Sequence, residues 1–325
     1  MLVNFLRGIL SANAVAEESV RRSFYEFSDL AANMRGKAHQ LQLAGYLDYP
    51  ILVHLETVTA CNAACNFCPY PTVARKGNRM SDTLIEKVVN DLTDVPPDLP
   101  FLFAPYKLSD PFLEHRLFDI IELVGTKLPG AQVSLITNGA ALTDKKAVQL
   151  SRCSNIAYVN VSLNSCDELE YEEVMKLPLA RTLERLTGLH LRAVAGEIPF
   201  SVRLTRVSGT RADDVRWLQW CATSFPKFLP QIIPRNDWIG DVPNALVDSR
   251  VPDAPCHRWF DLSIISTGEV AMCCMDGEAK YPKGNVNTRN ALDIYNQPRL
   301  RGLRESLISR TGAPDPCNRC TYLSY

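Results

Sequence analysis

Three cysteines within eight residues, Cys61-Asn-Ala-Ala-Cys65-Asn-Phe67-Cys68, constrain this chain more than any other feature. Residues 51–56, just upstream, alternate apolar and polar side chains and predict a strand. The cysteines therefore lie on the loop that leaves a strand's C-terminal end. Three thiolates so closely spaced can hold three corners of a cubane iron–sulfur cluster. A closed structural zinc site needs a fourth ligand, and this loop supplies none. A cluster with three protein ligands leaves one iron open, and an open position is what catalysis at a metal requires.

Strand and helix signals alternate through the region that follows. Strands are predicted at 101–104, 132–137, 156–163, 200–206 and 228–233, and helices at 81–92, 117–128, 145–152, 179–195 and 212–223. Ser81 or Asp82 is the N-cap of the first of these helices. Such alternation implies parallel strands with helices packed outside them. About six strand–helix units are too few for a closed eight-stranded barrel, so the expected fold is α/β, a partial (β/α)6 barrel spanning residues 50–236. Parallel α/β folds bind ligands at the C-terminal ends of their strands, where the cysteine loop sits. Residues 1–49 are expected to be a helical extension, since 14–45 are rich in Ala, Glu, Arg and Leu and contain no proline. Residues 237–255, with three prolines and little periodicity, read as a linker. A second unit, 256–325, carries five cysteines. Internal repeats and low-complexity tracts are absent.

Composition narrows the function classes. At 325 residues and 46% apolar content, the chain can bury a sizeable core. A net charge of −1 implies no strong field, which disfavours nucleic acid and anionic membrane as main partners. The first residues lack the basic start and apolar run of a signal peptide, and no run of 18 apolar residues predicts a membrane span. Eleven cysteines in a chain of this kind point to metal or redox chemistry in a reducing, cytoplasmic setting rather than to disulfides.

The C-x-x-x-C-x-aromatic-C spacing of Cys61, Cys65 and Cys68 resembles the motif of the radical S-adenosylmethionine (SAM) superfamily. The resemblance implies a [4Fe–4S] cluster whose open iron binds SAM through its amino and carboxylate groups. Reductive cleavage then yields a 5′-deoxyadenosyl radical that abstracts a substrate hydrogen. Phe67 stands where the family keeps an aromatic residue beside the adenine. Residues 107–113 (KLSDPFL) stand at the family's Gly-Gly-Glu-Pro-like turn, which binds the methionyl amino group. The glycines are missing and Asp110 replaces glutamate, so Ser109 and Asp110 mark a local variation. Residues 134–139 (SLITNG) and 159–164 (VNVSLN) resemble the family's third and fourth strands. Ser162 and Asn164 share one face of the fourth strand and are candidates for the SAM ribose or carboxylate. Arg203 or Arg206, on the fifth, could pair with the carboxylate through a guanidinium fork.

In the second unit, Cys256, then Gly268 with four residues between it and Cys273 on a predicted hairpin, then Gly284-Asn285-Val286, then Cys317-Asn-Arg-Cys320, resemble the SPASM or shorter "twitch" extension of radical SAM enzymes. The resemblance implies a second, auxiliary [4Fe–4S] cluster on Cys256, Cys273, Cys317 and Cys320. Cys274 competes with Cys273, because neighbouring residues on a strand face opposite ways; the Gly-x4-Cys spacing favours Cys273. Ligand type alone leaves a four-cysteine zinc site open. Cys153 and Cys221 are expected in the core, and Cys166 to pack.

The resemblance implies a radical enzyme with an electron donor such as flavodoxin or ferredoxin. A short auxiliary region suits a small polar substrate: a sugar, nucleoside or aminocyclitol that is oxidised, epimerised or otherwise rearranged. The winged-helix recognition unit usual in peptide maturases is not evident, yet a precursor peptide remains the alternative substrate. A non-catalytic zinc protein is the alternative of another class. Arg235, Asp237 and Trp238 are expected either to anchor the linker or to line the mouth between the two cysteine sets.

Overall fold

The computed structural model describes residues 27–242 and 249–323. Helix α1 (Phe27–Leu43) leads into strand β1 (Leu52–Leu55). Five further strands follow: β2 (Phe101–Ala104), β3 (Ala131–Thr137), β4 (Ile156–Ser162), β5 (Ser201–Val207) and β6 (Leu229–Ile233). Between them run α2 (Asp82–Asp91), α3 (Leu117–Lys127), α4 (Asp144–Ser151), the pair α5 (Glu168–Met175) and α6 (Leu179–Val194), and α7 (Arg211–Ser224). The six strands are parallel neighbours in chain order. The outer strands do not pair with each other, so the barrel stays open.

Side-chain caps start four of the helices between the parallel strands. The side chains of Ser81, Thr143, Asp167 and Thr210 accept from backbone N–H groups of the first turns of α2, α4, α5 and α7. Helix α5 was not anticipated. Its sequence, ELEYEEVM, has too weak an apolar period. The signal it does carry is Asp167 followed three residues later by Glu170, a capping pattern.

Strand alternation divides the sheet into two faces. Val53 and Leu55, Val133 and Leu135, and Val159 and Val161 pack into the main core with Val88 of α2, Ile121 of α3 and Leu150 of α4. The opposite face, which carries His54, Ser134, Asn160, Ser162, Arg203 and Thr205 among apolar neighbours such as Leu52 and Ile136, lines a cavity.

The second cysteine-bearing unit extends the same sheet. Strand β7 (Asp261–Ile264) lies parallel to β1, in register from Leu52 with Asp261 to Leu55 with Ile264. Strands β8 (Glu269–Ala271) and β9 (Gly284–Asn285) add antiparallel to it, giving nine strands. The hairpin turn needs glycine: Gly268 has φ +93°, and a Cβ there would lie 2.2 Å from Asn287 Nδ2. Helices α8 (Ala291–Tyr295) and α9 (Pro298–Ser306) follow. Helix α1 packs onto this unit, with Met34 and Ala38 among Trp259, Phe260 and Leu303. Gln42 Nε2 donates to the carbonyls of Arg304 and Glu305. The first 26 residues of the expected helical extension and residues 243–248 of the expected linker lie outside the described residues. No helix among the described residues is long and apolar enough to cross a membrane.

One carboxylate ties these parts together. Glu56, fully buried just beyond β1, accepts from Arg75 Nε at 2.9 Å and Nη2 at 3.0 Å. It also accepts from the Leu108 N–H at 3.0 Å, the Ser266 N–H at 3.2 Å and the Thr59 hydroxyl at 3.0 Å. The donors come from the loops that follow β1, β2 and β7. Removing one partner of a buried ion pair typically costs about 3–5 kcal/mol, because the other charge is stranded. Glu56→Gln is therefore expected to lower the melting temperature strongly. The double variant Glu56→Gln/Arg75→Met should lose less than the sum of the two single losses, as measured by calorimetry under anaerobic conditions.

Candidate active site

The face of the sheet opposite the main core encloses a cavity of about 470 Å³. His54, Ser134, Asn160, Ser162, Arg203 and Thr205 point into it from alternate positions of β1, β3, β4 and β5. Loops supply Phe67, Ser109 and Trp238, and the second unit supplies Arg258, Cys274 and Tyr322.

The loop of Cys61, Cys65 and Cys68 closes one end. It is anchored on the C-terminus of α5, where Ala64 N–H donates to Met175 O at 3.3 Å and Asn66 N–H to Val174 O at 3.0 Å. Asn138, in the turn after β3, donates to Asn62 Oδ1 at 2.7 Å and to Cys61 Sγ at 3.8 Å. Backbone N–H groups of Ala63 and Tyr70 donate to the sulfurs of Cys61 and Cys68. Burial pushes the thiol pKa of Cys61 up to about 12 and that of Cys68 to about 11. Cys65 is raised as well, by burial and then by its two cysteine neighbours. Thiolates that are buried and repel one another call for a cationic centre, and a three-ligand iron–sulfur cluster fits this set. From the far side, Arg235 Nη2 donates to Asn66 Oδ1 at 3.1 Å and Trp238 Nε1 to Phe67 O at 2.9 Å. The segment after β6 thus folds over the cysteine loop.

The other sequence candidates separate into two groups. Phe67, Ser109, Ser162 and Arg203 line the cavity. The Ser109 hydroxyl is buried there without a hydrogen-bond partner, and Arg203 stacks 4.0 Å over the Tyr158 ring. Asp110, Asn164 and Arg206 are turned into the protein. The Asp110 carboxylate accepts from the Thr137 hydroxyl and from the N–H groups of Asn138 and Phe112, locking the loop after β2 to the end of β3. Burial raises its pKa, and those donors oppose the rise. Asn164 Nδ2 donates to Ser162 Oγ at 2.9 Å and its Oδ1 accepts from the Val207 N–H. Arg206 is held by Asp214 and Glu170, each at 2.9 Å, and by the Asn164 carbonyl. Neither Cys153, Cys166 nor Cys221 lines the cavity; all three pack on the main core.

The second cysteine set converges elsewhere. Cys256, Cys273, Cys317 and Cys320 line a small buried cavity of about 20 Å³. Cys274 faces the large cavity instead. Trp259 Nε1 donates to Cys317 Sγ at 3.4 Å and Arg310 Nη1 to Cys320 Sγ at 3.9 Å. Arg310 is 0% exposed, and its other partners are Cys320 O and Met34 Sδ. It pairs with no carboxylate among the described residues. A buried cation needs an anion nearby, and four thiolates around a cluster would supply one.

Sequence reasoning missed His54, Lys107 and Arg258. Lys107 Nζ donates to the carbonyls of Cys273 and Asp276, joining the loop after β2 to the second unit. His54 is only 9% exposed and neither ring nitrogen makes a well-formed hydrogen bond. Burial, then the charges of Arg258 and Lys107, push its pKa down to about 3. The available signal was its place between Val53 and Leu55, which sends it to the opposite face of β1.

Comparison with known proteins bears on this architecture. Residues 55–196 match the Radical SAM superfamily, and residues 256–321 match the SPASM iron–sulfur cluster-binding domain. No curated protein matches the chain. Among solved structures, BtrN in complex with AdoMet and 2-DOIA is similar at TM-score 0.56 and 16% identity, over 84% of this chain and 98% of that one. SuiB of Streptococcus suis, bound to precursor peptide SuiA, is similar at TM-score 0.62 and 13% identity, over 89% and 74%. The anSMEcpe enzyme with bound AdoMet is similar at TM-score 0.61 and 15% identity, over 84% and 88%. At such identities the likeness shows the fold. With an open α/β barrel, a cysteine loop at its mouth and both domain matches in place, the chain belongs to the radical SAM superfamily, whose enzymes use a [4Fe–4S] cluster and SAM, and it carries a C-terminal SPASM domain for auxiliary iron–sulfur binding.

Proposed function

We propose that Cys61, Cys65 and Cys68 ligate the SAM-cleaving cluster and that Cys256, Cys273, Cys317 and Cys320 ligate an auxiliary [4Fe–4S] cluster. In this reading the cavity between them binds a small polar metabolite, such as a sugar or nucleoside, for oxidation, epimerisation or related radical chemistry. The observation that carries it is a cavity of about 470 Å³ that touches the first cysteine loop at Phe67 and the second at Cys274. That volume suits a small ligand beside part of SAM.

Bound in this site, the cluster and SAM supply a 5′-deoxyadenosyl radical that takes a hydrogen atom from the substrate. The chain's own residues position the partners. Phe67 offers a face to the adenine, while Ser109, Ser162 and Arg203 offer polar contacts to the rest of SAM. Asp110 and Asn164 act behind them, Asp110 by fixing its loop and Asn164 by orienting the Ser162 hydroxyl. Trp238 shields the cysteine loop from water. An electron donor of the flavodoxin or ferredoxin kind completes the scheme.

The wall of the cavity favours part of the substrate range. Among the described residues it includes Lys37, Lys107, Arg203 and Arg258 and no carboxylate. Such a lining attracts neutral or anionic polyols and disfavours a polycationic aminocyclitol. BtrN, bound to 2-DOIA and spanned over 98% of its length, supports a small-molecule substrate. The likeness to SuiB with its precursor peptide carries the second reading, a peptide substrate.

Two cubane clusters predict about eight irons per chain in the anaerobically reconstituted protein. The triple variant Cys61→Ala/Cys65→Ala/Cys68→Ala should keep about half of that iron and form no 5′-deoxyadenosine from SAM under dithionite. Persistent cleavage would refute the ligand assignment. Cys273→Ala should likewise lose about half of the iron, whereas Cys274→Ala should keep all of it. Equal losses would show that the two thiols are not divided as proposed. Saturating sugar nucleotides, rather than peptides, should raise 5′-deoxyadenosine formation, measured by chromatography.

A further inference from the structure

The candidate cluster ligands leave one cysteine unexplained. Cys274 is buried, faces the large cavity and stands beside two other donors from different strands. Its Sγ, a His54 ring nitrogen and an Asp261 carboxylate oxygen all lie within 4.8 Å of one another. His54 comes from β1, Asp261 from β7 and Cys274 from the segment after β8. The β1–β7 pairing, which sets Leu52 beside Asp261 and His54 beside Ser263, brings the first two together.

We propose that His54, Asp261 and Cys274 form a mononuclear zinc site whose remaining position opens on the substrate cavity. Two observations carry this independently. The donors converge, and they do so without hydrogen-bonding one another, which a proton relay would require. His54 is also a buried polar side chain aimed into the cluster with no well-formed hydrogen bond. Leaving such a group buried and unpaired is costly, and coordination to a metal removes that cost.

The donor chemistry selects the metal. Thiolate, imidazole and carboxylate together are a borderline-soft set suited to zinc, and three protein ligands with one open position is the arrangement of reactive rather than structural zinc sites. One thiolate and one carboxylate balance a divalent charge. Arg258 Nη1 donates to Asp261 Oδ2 at 3.0 Å, as the outer partners of ligating carboxylates do. Of the other cations close to this group, Lys107 is turned onto the backbone carbonyls of Cys273 and Asp276, and Lys283 acts on the Asp261 carboxylate. The open position would take a hydroxyl, carboxylate or phosphate oxygen of the substrate and fix its orientation in the cavity. This goes beyond the proposed function and uses its cavity assignment.

The test uses anaerobically purified, iron–sulfur-reconstituted enzyme exposed to zinc chloride and then desalted. Zinc and iron are measured by mass spectrometry, and the zinc environment by X-ray absorption at the zinc edge. The expected result is about one retained zinc with a single sulfur ligand at about 2.3 Å and lighter atoms in the other positions. Cys274→Ala and His54→Gln should each weaken zinc binding by more than about tenfold while iron content stays at the wild-type level. Three results would overturn the proposal: an iron-loaded wild type that retains no zinc, zinc bound by four sulfurs, or zinc retention unchanged in both variants. Loss of iron or of SAM cleavage in the wild type would count against the cluster assignments instead, so the two failures are distinguishable.

Discussion

The buried carboxylate of Glu56 is the constraint on which the rest of the site depends. It stands at the C-terminal end of the central strand β1 and accepts hydrogen bonds from three different loops at once. A buried anion of this kind is tolerated only when nearly every lone pair is satisfied. Arg75, the Leu108 N–H, the Ser266 N–H and Thr59 meet that demand, so the cysteine loop, the loop after β2 and the β7–β8 turn are held in one mutual arrangement. Arg75 extends the tie to Glu278 at 2.8 Å. The mouth of the barrel and the second cysteine unit are therefore one rigid frame around the cavity.

Within that frame, the departure at residues 107–113 acquires a structural explanation. Where glycines would let the backbone approach a ligand, this chain has Leu108 and Ser109, preceded by Lys107. Lys107 reaches across to the second unit, the Leu108 N–H binds Glu56, and Ser109 keeps an unpaired hydroxyl at the cavity wall. Asp110 holds the loop from behind by its bonds to the end of β3. The loop is stiffened by side chains instead of being left open by glycines.

Much of this was legible in the sequence, because it rests on local pattern. The strand ends, the two cysteine sets and the inward face of β4 follow from period-two alternation and close spacing. What was not legible depends on distant pairing. The β1–β7 ladder joins residues some two hundred positions apart, so the union of His54 with Asp261 and Cys274 leaves no local mark. Arg206 and Arg203 look alike on one strand, yet their neighbours differ: Asp214 and Glu170 enclose the first, and the Tyr158 ring leaves the second facing the cavity. Arg310, a lone basic residue in a polar stretch, gives no hint that it is buried beside four thiols.

The β1–β7 pairing has a consequence for how the protein is made. Contacts between distant segments form late, since loop closure must precede them. As synthesis proceeds from the N-terminus, β1 through β6 are complete while one edge of β1 is still unpaired. Glu56 then lacks the Ser266 N–H, and the loop that follows β1 is not tied to the second unit until residues 261–266 have been added. Nascent chains thus pass through an interval in which the mouth of the barrel is incompletely braced, and completion of the sheet ends it.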